Sequence, residues 1–205
     1  MNHCTSSLRI AAILAALIFC TNAIAGEALN QLKGPIEQVI EILKDPKYKA
    51  PDKKQEQREK IFAITNQAFD FIEMSKRALG KNWRDFTPEQ RKKFTDVFAD
   101  HLNNTYMDKV QNQYQDETVE FIEEEKVGDD KAVVKSFIKR RSVNVPVDYS
   151  MILVDKRWRV YDVNIEGVSL IKNYRSQFDE LLAKETPEQV IERLRKKTDI
   201  QDLKN

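Results

Sequence analysis

Three kinds of side chain invite a catalytic reading: the imidazole of His101, the phenol of Tyr149 and the carboxylates of Asp148 and Asp162. An imidazole serves as a general base only beside something to activate, and no motif places a Ser or Cys nucleophile with His101. His101 also falls on the apolar side of its helical pattern, so it reads as a packed core or boundary residue. A tyrosine and a carboxylate inside an apolar cavity can move protons, the chemistry of small isomerases of the ketosteroid type. Alternation does not say which face Asp162 takes, and a pocket enzyme of that shape stays open as an alternative. Metal chemistry has no motif to stand on: H-E-x-x-H, paired His ligands, C-x-x-C and an EF-hand loop are all missing. Glu123-Glu124-Glu125 and Asp129-Asp130 read as solvated strand ends around a turn. With five glycines in all, no glycine-rich loop exists to cradle a phosphate. The expectation is a protein that is not an enzyme, with no cofactor and no metal.

The elements that would position these groups centre on Trp158 to Phe178. Tyr161, Val163 and Ile165 alternate with Val160, Asp162 and Asn164, the period of a strand. Gly167 breaks it, Ser169 can cap a helix, and Leu170, Ile171, Tyr174 and Phe178 then recur at helical spacing. Ahead of this junction, Thr118–Val127, Lys131–Arg141 and Val145–Asp155 are three more strand candidates joined by short links, which together predict an antiparallel meander. On the third strand Val145, Val147, Tyr149, Met151 and Leu153 share one wholly apolar face.

Helices flank the sheet on both sides in sequence. Ile36, Val39, Ile40 and Leu43 give a short amphipathic helix with Pro35 in its first turn. A longer face runs through Ile61, Ile64, Ala68, Phe69 and Ile72, and a separate short helix, Ser75–Leu79, stops at Gly80. Thr87-Pro88-Glu89-Gln90 is the clearest helix start, with a capping threonine, a proline at the first position and a reciprocal glutamine. From it Phe94, Phe98, His101, Leu102, Tyr106 and Val110 line one face as far as Tyr114. The same tetrapeptide recurs at Thr186-Pro187-Glu188-Gln189 and begins a final helix. Helices, sheet, then helices is an α+β arrangement. The expected form is a curved, four-stranded antiparallel meander wrapped by helices and enclosing an apolar cavity.

The first 25 residues stand apart from this domain. Arg9, the apolar run Ile10–Phe19 and Ala23-Ile24-Ala25 before Gly26 have the layout of a cleaved secretory signal peptide. The run falls short of the roughly 20 apolar residues a membrane span needs. Residues 26–205 are then a single domain, helical over 26–115, sheet over 117–166 and helical again over 169–197. Cys4 and Cys20 leave with the leader, so the mature chain has no disulfide or thiol and depends on packing alone. The chain holds 34 Lys+Arg and 33 Asp+Glu; removing Arg9 leaves 33 against 33, a mature net charge of zero. No global field draws a neutral protein to nucleic acid or anionic lipid, so lipid recognition would rest on an apolar cavity.

Phe69-Asp70-Phe71, Gly80-Lys81-Asn82-Trp83, Thr87 to Phe94, Ile165-Glu166-Gly167-Val168-Ser169-Leu170 and Asn173 to Phe178 together resemble the MlaC family of periplasmic phospholipid-binding proteins (toluene-tolerance, ABC transporter auxiliary). The resemblance spans nearly all of the mature chain, in order and spacing. It implies a curved sheet wrapped by helices, with phospholipid acyl chains as cargo and the head group near solvent. It also implies a monomeric periplasmic carrier working between an outer-membrane lipoprotein–porin complex and an inner-membrane ABC transporter complex, which maintains outer-membrane lipid asymmetry. No single motif marks the lipid contacts, so the candidates come from alternation: Val147, Tyr149, Met151, Val163 and Ile165 on strands, Leu170 and Tyr174 on the next helix, and Phe98, Leu102 and Tyr106 on the capped helix. Ordinary core packing is the competing role for each. Arg175, one step from Tyr174, is expected near solvent to meet a head group or a partner. A chaperone-like module, binding a protein and no lipid, is the remaining class.

Overall fold

The computed structural model describes residues 26–141 and 143–196. The leader with both cysteines, Ser142 in one hairpin link and the tail beyond Lys196 lie outside the described residues. The first helix, α1 (Glu27–Lys44), begins well before Pro35, which sits inside it. A proline within a helix removes a backbone bond at a cost of about 3 kcal/mol. Packing offsets it: Ala28 and Leu32 are buried against Met151, Trp158 and Val160, contacts invisible to local helix signals. Two short 3-10 turns, Pro46–Lys49 and Pro51–Lys53, lead into α2 (Lys54–Ala68).

The face expected to run through Ile72 stops earlier. Phe69 leaves the helix to bridge Val160, and the Asp70 N–H donates to the Val160 carbonyl at 2.8 Å. The Asp70 carboxylate then accepts the Glu73 N–H at 2.8 Å and starts α3 (Phe71–Leu79), leaving Ile72 65% exposed. Gly80, at φ 54°, ends α3 as expected and opens a 3-10 turn, Gly80–Asp85. Both Thr-Pro-Glu-Gln segments form full capping boxes, opening α4 (Pro88–Gln113) and, at the far end of the chain, a helix over Pro187–Arg195. Gln90 of the first box donates to Glu188 of the second at 2.6 Å, so the two helix starts are tied together.

The sheet is an antiparallel meander in the order β1 (Thr118–Lys126), β2 (Lys131–Lys139), β3 (Asn144–Val154), β4 (Arg157–Ile165), β5 (Val168–Ser169). It has five strands, correcting the expected four. Glu166 and Gly167 both take positive φ, 52° and 85°, and this tight turn folds Val168–Ser169 back onto Asn164–Ile165. Asp155 and Lys156 do the same between β3 and β4, at 48° and 63°. Register shifts between Phe121 and Glu123 and between Ser150 and Met151 are bulges, which bend and twist the sheet. The sheet stays open. It is followed by α5 (Leu170–Leu182) and α6 (Pro187–Arg195).

Two separate cores hold this together. One lies among the helices and includes Phe86, Phe94, Phe98, Tyr174, Phe178 and Ile191. The other lies between α1 and the sheet and includes Leu32, Val134, Met151, Trp158 and Val160.

Candidate functional site

The apolar face read from β3 exists. Val147, Tyr149 and Met151 stand opposite Ser136, Val134 and Ala132 of β2 on one side. On the other they stand opposite Ile165, Val163 and Val160 of β4. Burial is graded along it. Met151, Val134 and Val160 are sealed beneath α1, whereas Ile165 at the opposite end is 38% exposed. The one hydroxyl on the buried part of β2, Ser136, donates to the Val147 carbonyl at 2.9 Å and also hydrogen-bonds with the Tyr149 phenol, one small polar pair on an otherwise apolar face. Burial pushes the Tyr149 phenol up to about 12, and the hydrogen bond with Ser136 opposes the shift.

The ten residues singled out by alternation do not form one cluster. Met151, with Tyr149 and Val163 packed beside it, belongs to the sheet core. Phe98, Leu102 and Tyr174, with Tyr106 and Leu170 against them, belong to the helical core. Phe98 has ring centroids of Phe94, Tyr174 and Phe178 at 5.5, 5.1 and 5.4 Å, the spacing of a closed aromatic stack. Further buried apolar residues, Tyr48 among them, stand outside both cores. Ile61 of α2, Met107 of α4 and Val147 of β3 are 1%, 5% and 2% exposed, yet none is a member of either core. Met107 lies one position beyond the Phe98–Leu102–Tyr106 face, so the periodicity did not single it out.

His101 is a packed residue, 9% exposed, with Nε2 3.1 Å from the Tyr174 hydroxyl. Burial raises the neighbouring Tyr106 phenol, and a hydrogen bond with Tyr174 opposes the shift. Asp162 is committed to starting α5: one oxygen accepts from Ser169 Oγ at 2.6 Å and the other from the Ile171 N–H at 3.0 Å. Asp148 pairs with Lys135 of β2 and Asn164 of β4 in register, on the face opposite its neighbour Tyr149. The tyrosine and the two carboxylates are thus not assembled around one point. Asp162→Ala is expected to destabilise the fold by roughly 2–3 kcal/mol, the value of hydrogen bonds to a charged acceptor, as read by urea unfolding.

Arg175 is not held free in solvent. Its Nε donates to the Arg77 carbonyl at 2.7 Å, and its side chain lies over Gly80, where an added Cβ would come within 3.3 Å. One helical step from Tyr174 faces the last turn of α3, whose carbonyls lack helical partners. Arg175 therefore pins α5 to α3. Two surface clefts, of about 450 Å³ along α6 and about 340 Å³ between the α2–α3 break and the β3–β4 turn, are both polar-rimmed and include no residue of the inner sheet face. Among the described residues no group of three His, Cys, Asp or Glu is placed to hold a metal, and no helix is long and apolar enough to cross a membrane.

The sheet is open and bulged, its apolar face lies under helices, and Asp162 and Arg175 are spent on holding the helices in place. Residues 33–196 match the model of the MlaC protein family, and the chain belongs to that family. It is similar to the solved structure of a phospholipid-binding protein from Ralstonia solanacearum in complex with a phospholipid, at 25% identity and a TM-score of 0.71. That likeness covers 88% of this chain and 100% of the other. No curated protein matches the chain.

Proposed function

We propose that this protein is a periplasmic phospholipid carrier, exported by a leader cleaved after Ala25. It holds acyl chains between the helices and the inner sheet face, and passes lipid between an outer-membrane lipoprotein–porin complex and an inner-membrane ABC transporter complex. Family membership and the phospholipid-bound relative support the ligand class. The observation that carries the location is the apolar face of β3 and β4, where Val147 and Tyr149 stand opposite Ile165 and Val163 and which runs from the sealed Met151 to the part-exposed Ile165. An apolar sheet face beneath helices that reaches solvent at one end is the kind of surface acyl chains require. The Ile165 end, 38% exposed, is where a head group would reach water.

Burying a methylene is worth about 0.8 kcal/mol, so two acyl chains amount to roughly 20 kcal/mol before costs. Release into water forfeits most of that, so transfer is expected on a docked partner, from one apolar surface to another. Lipid-loaded protein mixed with acceptor vesicles should transfer slowly alone and rapidly once the inner-membrane complex is present. Rapid transfer without it contradicts the shuttle.

A further inference from the structure

The start of α1 is closed by a carboxylate from the sheet's edge. Glu124 of β1 accepts the Leu29 N–H through Oε2 at 2.8 Å, a capping bond that Gly26, the N-cap residue, has no side chain to make. The second oxygen, Glu124 Oε1, is buried and has no hydrogen-bond partner. Gly26 lies directly against it: a Cβ at this position would fall 1.9 Å from Glu124 Cδ and 2.2 Å from Oε1. The α-nitrogen hangs on the same Cα, one bond of ~1.5 Å away, which places it within roughly 4.5 Å of the carboxylate carbon.

In the uncleaved chain that nitrogen is a neutral amide with a single hydrogen. Cleavage adds one water across the Ala25–Gly26 bond, leaving a carboxylate on Ala25 and an ammonium with three donors on Gly26. We infer that Glu124 is the binding site of the mature N-terminus, its ligand the α-ammonium of Gly26, so that removal of the leader completes the cap of α1. This rests on the cleavage position proposed above. The helix dipole alone disfavours a cation at this end, and the Glu124 carboxylate reverses that balance. An orphaned buried oxygen costs free energy, and the ammonium is the group that satisfies it. A Cβ at residue 26 would push the flexible Glu124 carboxylate away from its place on Leu29.

Thermal unfolding of four proteins tests this: the chain beginning at Gly26 and the same chain extended by Ser-Ala, each with Glu124 and with Glu124→Gln. The extension should lower Tm by about 2–6 °C with Glu124 present and have little effect with Glu124→Gln. An equal drop in both backgrounds, or none in either, overturns the ion pair. The intact mass of protein recovered from the periplasm should report Gly26 as the first residue. Another terminus overturns the cleavage reading and the site together, whereas a Gly26 terminus without coupling overturns the site alone.

Discussion

Val147→Glu yields a folded protein that carries no phospholipid. Val147 stands opposite Ile165, which is 38% exposed, so under the proposed function a carboxylate there would meet the acyl chains and be hydrated from that open end once lipid is lost. Loss of apolar contact and desolvation of the charge together disfavour lipid by more than about 3 kcal/mol, a factor of over ~100. Phosphorus content and circular dichroism of the same preparation read both halves of the result. Met151→Glu, two residues away on the same face, behaves differently. Met151 is sealed between α1 and the sheet at 1% exposure, so an unpaired charge unfolds the domain, whose whole stability is of order 5–15 kcal/mol. Wild-type lipid content in Val147→Glu would move the lipid away from this face.

Phe98→Ala is expected to cost about 3–5 kcal/mol, the range for truncating a fully buried aromatic ring. Phe98 is 0% exposed, and its removal opens a void among Phe94, Tyr174 and Phe178. The effect should appear in the urea midpoint. At urea concentrations where the variant remains folded, its lipid content should match wild type, because the ring belongs to the helical core. A stability change below ~1 kcal/mol would mean that the aromatic stack is not packed as described.

Signals confined to a few neighbouring residues were legible in the sequence. The two Thr-Pro-Glu-Gln segments specify α4 and α6 because a capping box is made within one turn. The apolar face of β3 was legible because side-chain direction follows from alternation alone. What depended on distant partners was not. The early start of α1 depends on Ala28 and Leu32 meeting the sheet. The end of α2 depends on Val160 of β4, which captures Phe69 and Asp70. Periodicity put Phe98 and Tyr106 on an apolar face but could not say whether a packed ring or a lipid stands opposite. Asp162 and Arg175 carried no local sign that one would cap α5 and the other grip the carbonyl of Arg77. The fifth strand was hidden because Gly167 reads equally as a break and as half of a tight turn.

The most direct measurement is native mass spectrometry of the protein purified from the periplasm, followed by solvent extraction. A carrier should show a mass excess of one phospholipid that disappears on extraction and is absent in Val147→Glu. A wild-type protein at its bare polypeptide mass, with no lipid in the extract, would contradict the account.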